Sequence, residues 1–394
     1  MSHDVAELAR RLVAIDTTST KTNEPLIALL AERLEHAGFR VHVQAWTVDG
    51  NVKANLVAAA GPPEADGLLI SGHTDTVPFA GQPGWTRDPL ALEIADDRVY
   101  GRGTSDMKVF IAQAVCAAES LDPSRLRRPL VLGFTADEEV GCLGAARLAP
   151  DLARQLGAVP LPTQCWIGEP TGWEVYSAHK SVTLFDVTIR GRGGHSGLPA
   201  LGVNAISIAG RVIEELTRYQ NELREKPSPA FRETFADAPF STLNVGSIHG
   251  GTVANMIAEE CVIRVSTRGM PDIDPLAIHA EVRTRLAALD TRDPVFPAEP
   301  AAITVGDAIV VPAMSSARGT PLERALFARL GRSTARGSLL AADGCHFTPL
   351  GIATLIAGPG DFDQAHQPDE SISRRAFEEG ADVVRAVITR VCCE

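Results

Sequence analysis

Apolar positions along the chain follow two periods, and the mixture changes near residue 177. At the N-terminus, in MSHDVAELARRLVAIDTTST, Val5, Leu8, Leu12 and Ile15 recur at helical spacing, which predicts an amphipathic helix. Short β-type runs follow in RVHVQAW, NLVAAA, GLLISGHTD, PLVLGFTADEE and QCWIGEPT. Helices are expected between them, around 24–37, 106–120 and 142–156, with Pro25 compatible with the opening turn of the first. This alternation predicts an α/β unit, a mixed sheet covered on both faces by helices.

Beyond residue 177 the pattern is different. SVTLFDVTIRG alternates Phe185, Val187 and Ile189 with Asp186, Thr188 and Arg190, as a strand with one exposed face does. A helix is expected from the spacing of Val203, Ile206, Ala209, Ile213 and Leu216, then a loop in NELREKPSPAFRETFADAPF. Strands in STLNVGSIHGG and AEECVIRVSTRG, a helix near 274–289 and a closing strand in AAITVGDAIVV complete a β-α-β-β-α order. The expectation is a smaller two-layer α+β domain over 178–308, inserted in a larger discontinuous domain of 1–177 and 309–394. The larger domain resumes with a helix in PLERALFARLG and a strand in GIATLIAGPG.

Length and charge narrow the class. A chain of 394 residues suggests two domains, and 45% hydrophobic with 22% charged residues is ordinary for a soluble protein. A net charge of −12 argues against a nucleic-acid surface, and no stretch reads as a signal peptide or a membrane span. Seven cysteines without a C-x-x-C pair fit a reducing, cytoplasmic compartment. Cys392 and Cys393 are expected in a mobile tail.

The candidate chemistry is positional. Four predicted strands lead into His73 and Asp75, into Asp137, Glu138 and Glu139, into Glu169, and into a loop bearing His366. Ligands of open α/β sheets sit outside the carboxyl ends of the strands, so these groups should share one crevice. Asp106, in the glycine-rich YGRGTSDMK, joins them. Each residue alone is unremarkable as a core or surface group. Together they crowd negative charge, and Lys108 is the one basic residue the sequence places nearby, so divalent cations are the expected compensation. Two zinc ions fit the donors: His73 and Glu169 on one, Glu139 and His366 on the other, Asp106 bridging. A water held between them would have a lowered pKa, with Glu138 free to take its proton and Asp75 fixing the tautomer of His73. Cobalt or manganese could use the same donors.

SGHTDTVP, YGRGTSDMK, TADEEVG, GEPT, GGHSGLPALGVNAI and GPGDFDQAHQPDE together resemble the acetylornithine deacetylase and succinyl-diaminopimelate desuccinylase family of dizinc metallopeptidases. The match runs through nearly the whole chain in the same order, and WTRDP and TLNVGSIHGG look closest to the acetylornithine deacetylase branch. The resemblance implies the ligand set His73, Asp106, Glu139, Glu169 and His366, the base Glu138, and a cis peptide after Asp106. It implies that the inserted domain forms a homodimer and that His195 stabilises the oxyanion in the neighbouring subunit, with Gly193, Gly194 and Gly197 supplying unusual backbone. It further implies substrate contacts from Asn255 and from Arg268, the latter through a forked grip on a carboxylate.

The expected function is metal-dependent removal of a small acyl group, acetyl foremost, from an N-acyl-L-amino acid such as N2-acetylornithine, as in arginine biosynthesis. A hydroxide bridging the two metals would be the attacking group. The alternatives are a dipeptidase or carboxypeptidase of the same family and a catalytically silent metal-binding scaffold. Two departures from the family pattern bear on specificity: Val109 replaces a usual glycine and is expected to add bulk near the metals, and AADGCHFTP places Asp343, Cys345 and His346 unusually.

Overall fold

The strand Leu68–His73 is buried along its whole length, as its unbroken apolar start requires. It lies at the centre of the larger sheet in a computed structural model that describes residues 2–292 and 299–394. Contacts divide the chain into two compact units. One comprises the chain through Ala178, Ser315–Arg336 and Ala342–Glu394; the other is His179–Met314 with Gly337–Ala341.

In the first unit, four neighbouring strands are parallel: Leu130–Thr135, Leu68–His73, Gln164–Ile167 and Ala353–Ile356. The antiparallel hairpin Arg40–Val48 and Asn51–Ala60 extends one side. On the other side Tyr176 pairs antiparallel with Ile356. The helix Lys108–Glu119 is apolar nearly all round and accordingly buried, packed against Ser2–Ala14 and Arg374–Ile388. Trp166 donates its indole N–H to Ala357 O at 2.6 Å and meets the Phe110 ring edge-on.

Two expectations for this unit need correction. The helix expected over 142–156 is broken into Leu143–Leu148 and Leu152–Leu156 by a 3-10 turn at Ala149–Asp151, where Pro150 cannot donate to the helical ladder. The C-terminal tail is packed. Thr389–Cys393 continues the helix Arg374–Ile388 as a wider turn, and Val391 and Cys392 are fully buried. The backbone N–H groups of Arg127 and Arg128 both donate to Cys392 O, at 2.8 and 3.1 Å. The stripe Phe377, Ala381, Val384, Ile388 and Val391 explains it, because those spacings place one apolar face on the core.

In the second unit, Val182–Arg190 pairs antiparallel with Glu260–Arg268, which pairs with Thr242–Gly250. The expected single closing strand is two, Ala302–Val305 and Ile309–Val311, both on Val182–Arg190. They part at Gly306, whose N–H donates to Asp186 O at 2.8 Å. Phe185, Val187 and Ile189 pack in one core with Ile208, Val212 and Leu216 of the helix Ala205–Arg224 and with Val282 of Ala277–Ala287. That helix runs four residues into the segment expected as loop, to Arg224. Beyond it the chain is held by the Lys180 ammonium, which donates to Ala238 O and Phe240 O at 2.7 Å each. No helix among the described residues is long and apolar enough to cross a membrane.

Close backbone approach sets the sheet's carboxyl edge. A Cβ on Gly358 would lie 2.2 Å from Gly168 O and 2.3 Å from Glu169 O, atoms that cannot swing aside. Gly358→Ala should therefore destabilise by about 1–3 kcal/mol through overpacking. Gly210, in open space on the helix Ala205–Arg224, should show the opposite sign, with Gly210→Ala stabilising by about 0.5–1 kcal/mol. Urea unfolding midpoints check both; equal shifts in one direction would contradict the packing account.

Candidate metal centre

Parallel strands end side by side, so short extensions from them converge. His73 is the last residue of its strand; Asp137, Glu138 and Glu139 follow Thr135 after one residue, and Glu169 follows Ile167 after one. His366 comes from the loop after Ala353–Ile356 and takes a left-handed backbone, φ 64°. Asp106 ends the glycine-rich loop that leads into Lys108–Glu119, and its peptide bond to Met107 is cis.

The Asp106 carboxylate lies between the two imidazoles. His73 Nε2 is 2.8 Å from Asp106 Oδ1, and His366 Nε2 is 3.3 Å from Asp106 Oδ2. His366 Nε2 also lies 3.0 Å from Glu139 Oε2, and His73 Nε2 lies 4.0 Å from Glu169 Oε1. Thus each oxygen of Asp106 faces one imidazole, and each imidazole has a glutamate beside it. His73 is buried and Asp106 nearly so, whereas half of the His366 side chain is open to solvent, at the rim.

The backbone carrying these groups is pinned by two further carboxylates. Asp75 accepts from Ser19 Oγ at 2.7 Å and from the N–H groups of Glu138 and Glu139 at 3.0 and 3.3 Å. Its carbonyl, at 3.0 Å, is closer to His73 Nδ1 than its carboxylate, at 3.5 Å. The tautomer-fixing contact expected of Asp75 is therefore made chiefly by its carbonyl, and its carboxylate serves the Glu138–Glu139 turn. Glu370 was not singled out from the sequence. It accepts from the N–H groups of Gly103, Ser105 and Asp106 at 2.8–3.0 Å and pairs with buried Arg102 at 2.8 Å. It holds the loop that presents Asp106.

The distribution of basic residues differs from expectation. The Lys108 ammonium donates to Ile15 O at 2.7 Å rather than to a carboxylate. Lys53, unremarked in NVKANLV, pairs at 2.5 Å with Asp137 and donates to Ser19 O, which removes Asp137 from the cluster. Val109 is fully buried within the main hydrophobic core. Asp343 is buried and accepts from Thr135 Oγ1, and His346 is half-buried.

Electrostatics shows what the cluster lacks. Burial first, with Glu169 and Asp106 as neighbours, pushes the carboxyls of Glu138 and Glu169 well above the ordinary range. Burial works against a charge on His73, yet Asp106, Asp75 and Glu169 hold its pKa well above the usual value. Hydrogen bonds to Asp106 and Glu139 raise His366 to about 10. Protons thus compensate the crowded carboxylates. His73, Asp106 and Glu139 each bring a donor atom within 4.8 Å of the other two. Two imidazoles and three carboxylates are a donor set suited to divalent cations, and the shared Asp106 suits a pair. The residues fit such a centre.

The remaining candidates belong to the second unit. His195 is exposed, and its Nδ1 accepts from Gly197 N–H at 3.0 Å, which leaves the ring hydrogen on Nε2. None of Gly193, Gly194 and Gly197 has a positive φ. Gly197 instead leaves room for the His195 ring, since a Cβ there would come within 3.1 Å of Nδ1. Asn255 is exposed and accepts from Ser196 N–H through its carbonyl at 3.0 Å. Arg268 ends the strand Glu260–Arg268 half-buried, without a side-chain partner among the described residues, and burial lowers its pKa.

Comparison with known proteins gives a consistent picture. Residues 69–390 match Peptidase family M20/M25/M40. A protein of Erwinia tasmaniensis named acetylornithine deacetylase is 34% identical over 393 residues, covering 98% of this chain and 97% of its own length. Among solved structures, an M20 family metallo-carboxypeptidase from Sulfolobus solfataricus has a TM-score of 0.74 at 15% identity, covering 98% of this chain and 99% of that one. A Bacillus subtilis protein described as a dinuclear metal binding peptidase of the same family has a TM-score of 0.66 at 15% identity, covering 98% of both chains.

If cations replace the protons now shared by the cluster, metal binding must release them. Calorimetric titration of chelator-treated protein with zinc, in two buffers of different ionisation heat, should show net proton release. It should also stabilise the fold, by about 2.7 kcal/mol at a free metal concentration of 100 Kd. Binding without proton release would contradict this electrostatic account.

Proposed function

The chain belongs to peptidase family M20/M25/M40 and is a hydrolase acting on amide bonds; on that premise we propose that it removes a small acyl group, acetyl foremost, from an N-acyl-L-amino acid. N2-acetylornithine is the first substrate to test, given the 34% identical relative of that name. The observation that carries the chemistry is the Asp106 carboxylate shared by His73 and His366, with Glu138 half-buried near His73 and hydrogen-bonded to neither imidazole.

We assign His73 and Glu169 to one cation, Glu139 and His366 to the other, and Asp106 to both. Zinc suits the nitrogen and oxygen donors, and cobalt or manganese can occupy similar sites. Bound there, the pair would supply a water of lowered pKa and polarise the scissile carbonyl. Glu138 takes a proton from the attacking water and returns it to the leaving amine nitrogen. Its surroundings support this role, because a carboxyl raised above the ordinary range by desolvation is the better proton acceptor. Asp75 and Glu370 position Glu138 and Asp106 through the backbone.

The second unit supplies the polar contacts that need no metal. Arg268, half-buried and unpartnered, is suited to grip the substrate's α-carboxylate with two parallel N–H donors. Asn255 adds an amide contact. We propose that the protein works as a homodimer through this unit, so that His195 of the partner subunit donates from Nε2 to the developing oxyanion. Its Nδ1 contact with Gly197 keeps that hydrogen on Nε2. Seven thiols free of disulfides support a reducing, cytoplasmic setting.

Glu138→Ala should retain both metals by elemental analysis and lose about 10²–10⁴-fold in turnover of N-acetyl amino acids. His195→Ala should lose about 10²–10³-fold in kcat with metal content unchanged. Undiminished turnover in either variant would remove that residue from the mechanism. Hydrolysis of dipeptides but not of N-acetyl, N-formyl or N-succinyl amino acids would replace the deacylase reading with a dipeptidase.

A further inference from the structure

A second group of ligand-type side chains joins Glu138 to two residues the hydrolysis does not use. Glu138, Cys142 and Asp343 each bring a donor atom within 4.8 Å of the other two. Glu138 and Cys142 share the turn after Leu130–Thr135: Cys142 N–H donates to Glu138 O at 2.8 Å, and Cys142 Sγ lies 3.4 Å from Glu138 Oε1. Asp343 approaches from the start of the short helix Gly344–Phe347 and is 1% exposed. One of its oxygens accepts from Thr135 Oγ1. The other, Oδ1, is buried and has no hydrogen-bond partner among the described residues. A buried carboxylate oxygen left in this way is costly and calls for a cation or a proton. The thiol of Cys345 is in hydrogen-bond contact with that of Cys142, which adds a second sulfur beside the group.

We propose that Glu138, Cys142 and Asp343 form a third cation site, one that takes a thiophilic divalent ion such as zinc, cadmium or cobalt. Tetrahedral bonds of about 2.0–2.3 Å set ligand atoms roughly 3.3–3.8 Å apart. The 3.4 Å between Cys142 Sγ and Glu138 Oε1 falls in that range. The five donors around Asp106 include no sulfur, so this site differs from that centre in kind: a thiolate with two carboxylates selects for softer ions. Binding forms a sulfur–metal bond and releases the thiol proton to solvent, with no change of oxidation state. One consequence rests on the proposed function. An ion here engages the carboxylate assigned as proton acceptor, so occupancy inhibits hydrolysis while the cations at Asp106 support it.

Cobalt(II) is the probe, because thiolate ligation gives a near-ultraviolet charge-transfer band that nitrogen and oxygen donors do not. Titration of metal-free protein should give that band, saturating with one of three bound equivalents, and turnover should fall at least tenfold as it grows. Cys142→Ser should bind two equivalents, lack the band and resist inhibition by excess metal. Asp343→Asn provides a second check and should weaken the band's cobalt affinity at least tenfold. No band in the native protein, a band kept by Cys142→Ser, or unchanged affinity in Asp343→Asn would overturn the site. A band in a protein that hydrolyses no amide at any metal loading would support the site and overturn the role given to Glu138.

Discussion

One carboxylate shared by two imidazoles organises this protein. Asp106 stands 2.8 Å from His73 and 3.3 Å from His366, and Glu169 and Glu139 complete its surroundings. So many acids in so little space are tolerable only with positive charge among them. Protons on the two imidazoles supply part of it, yet burial still holds the carboxyls of Glu138 and Glu169 well above the ordinary range. Divalent cations would supply it more completely and free the imidazoles to ligate through neutral nitrogen.

The fold spends other buried charges on keeping that geometry. Glu370 uses its carboxylate on three backbone N–H groups of the loop that ends at Asp106, with Arg102 balancing it. Asp75 does the same for the turn that carries Glu138 and Glu139, and Lys53 draws Asp137 out of the crevice. These contacts fix backbone where donors must stay within a few tenths of an ångström, which a loop cannot do unaided. Four parallel strands carry the first residues of this scaffold to one edge, where Gly358 lets two of them close up and Gly168 leaves room for the Phe110 ring.

Much of this was legible in the sequence, because strand ends and helical spacing are local signals. His73, Glu139 and Glu169 follow from where predicted strands stop, His366 from the loop beyond one and Asp106 from a glycine-rich loop, and the structure brings these five together. What was missed depends on partners remote in the chain. Glu370 was visible in QPDE, but nothing local says that it turns back onto Gly103, Ser105 and Asp106. Ser19 and Lys53 likewise act on residues 56 and 84 positions away, although a lone lysine in the apolar run NVKANLV was itself a signal of a buried ion pair. The C-terminal helix could have been found, since Val384, Ile388 and Val391 continue the apolar stripe up to the two terminal cysteines.

The account depends on paired cations at Asp106, and anomalous X-ray diffraction at the zinc edge, from crystals grown with zinc, tests it most directly. Two peaks about 3.5–4 Å apart should flank Asp106, one near His73 and Glu169, the other near Glu139 and His366. A single peak, or none at those side chains in zinc-saturated protein, would contradict it.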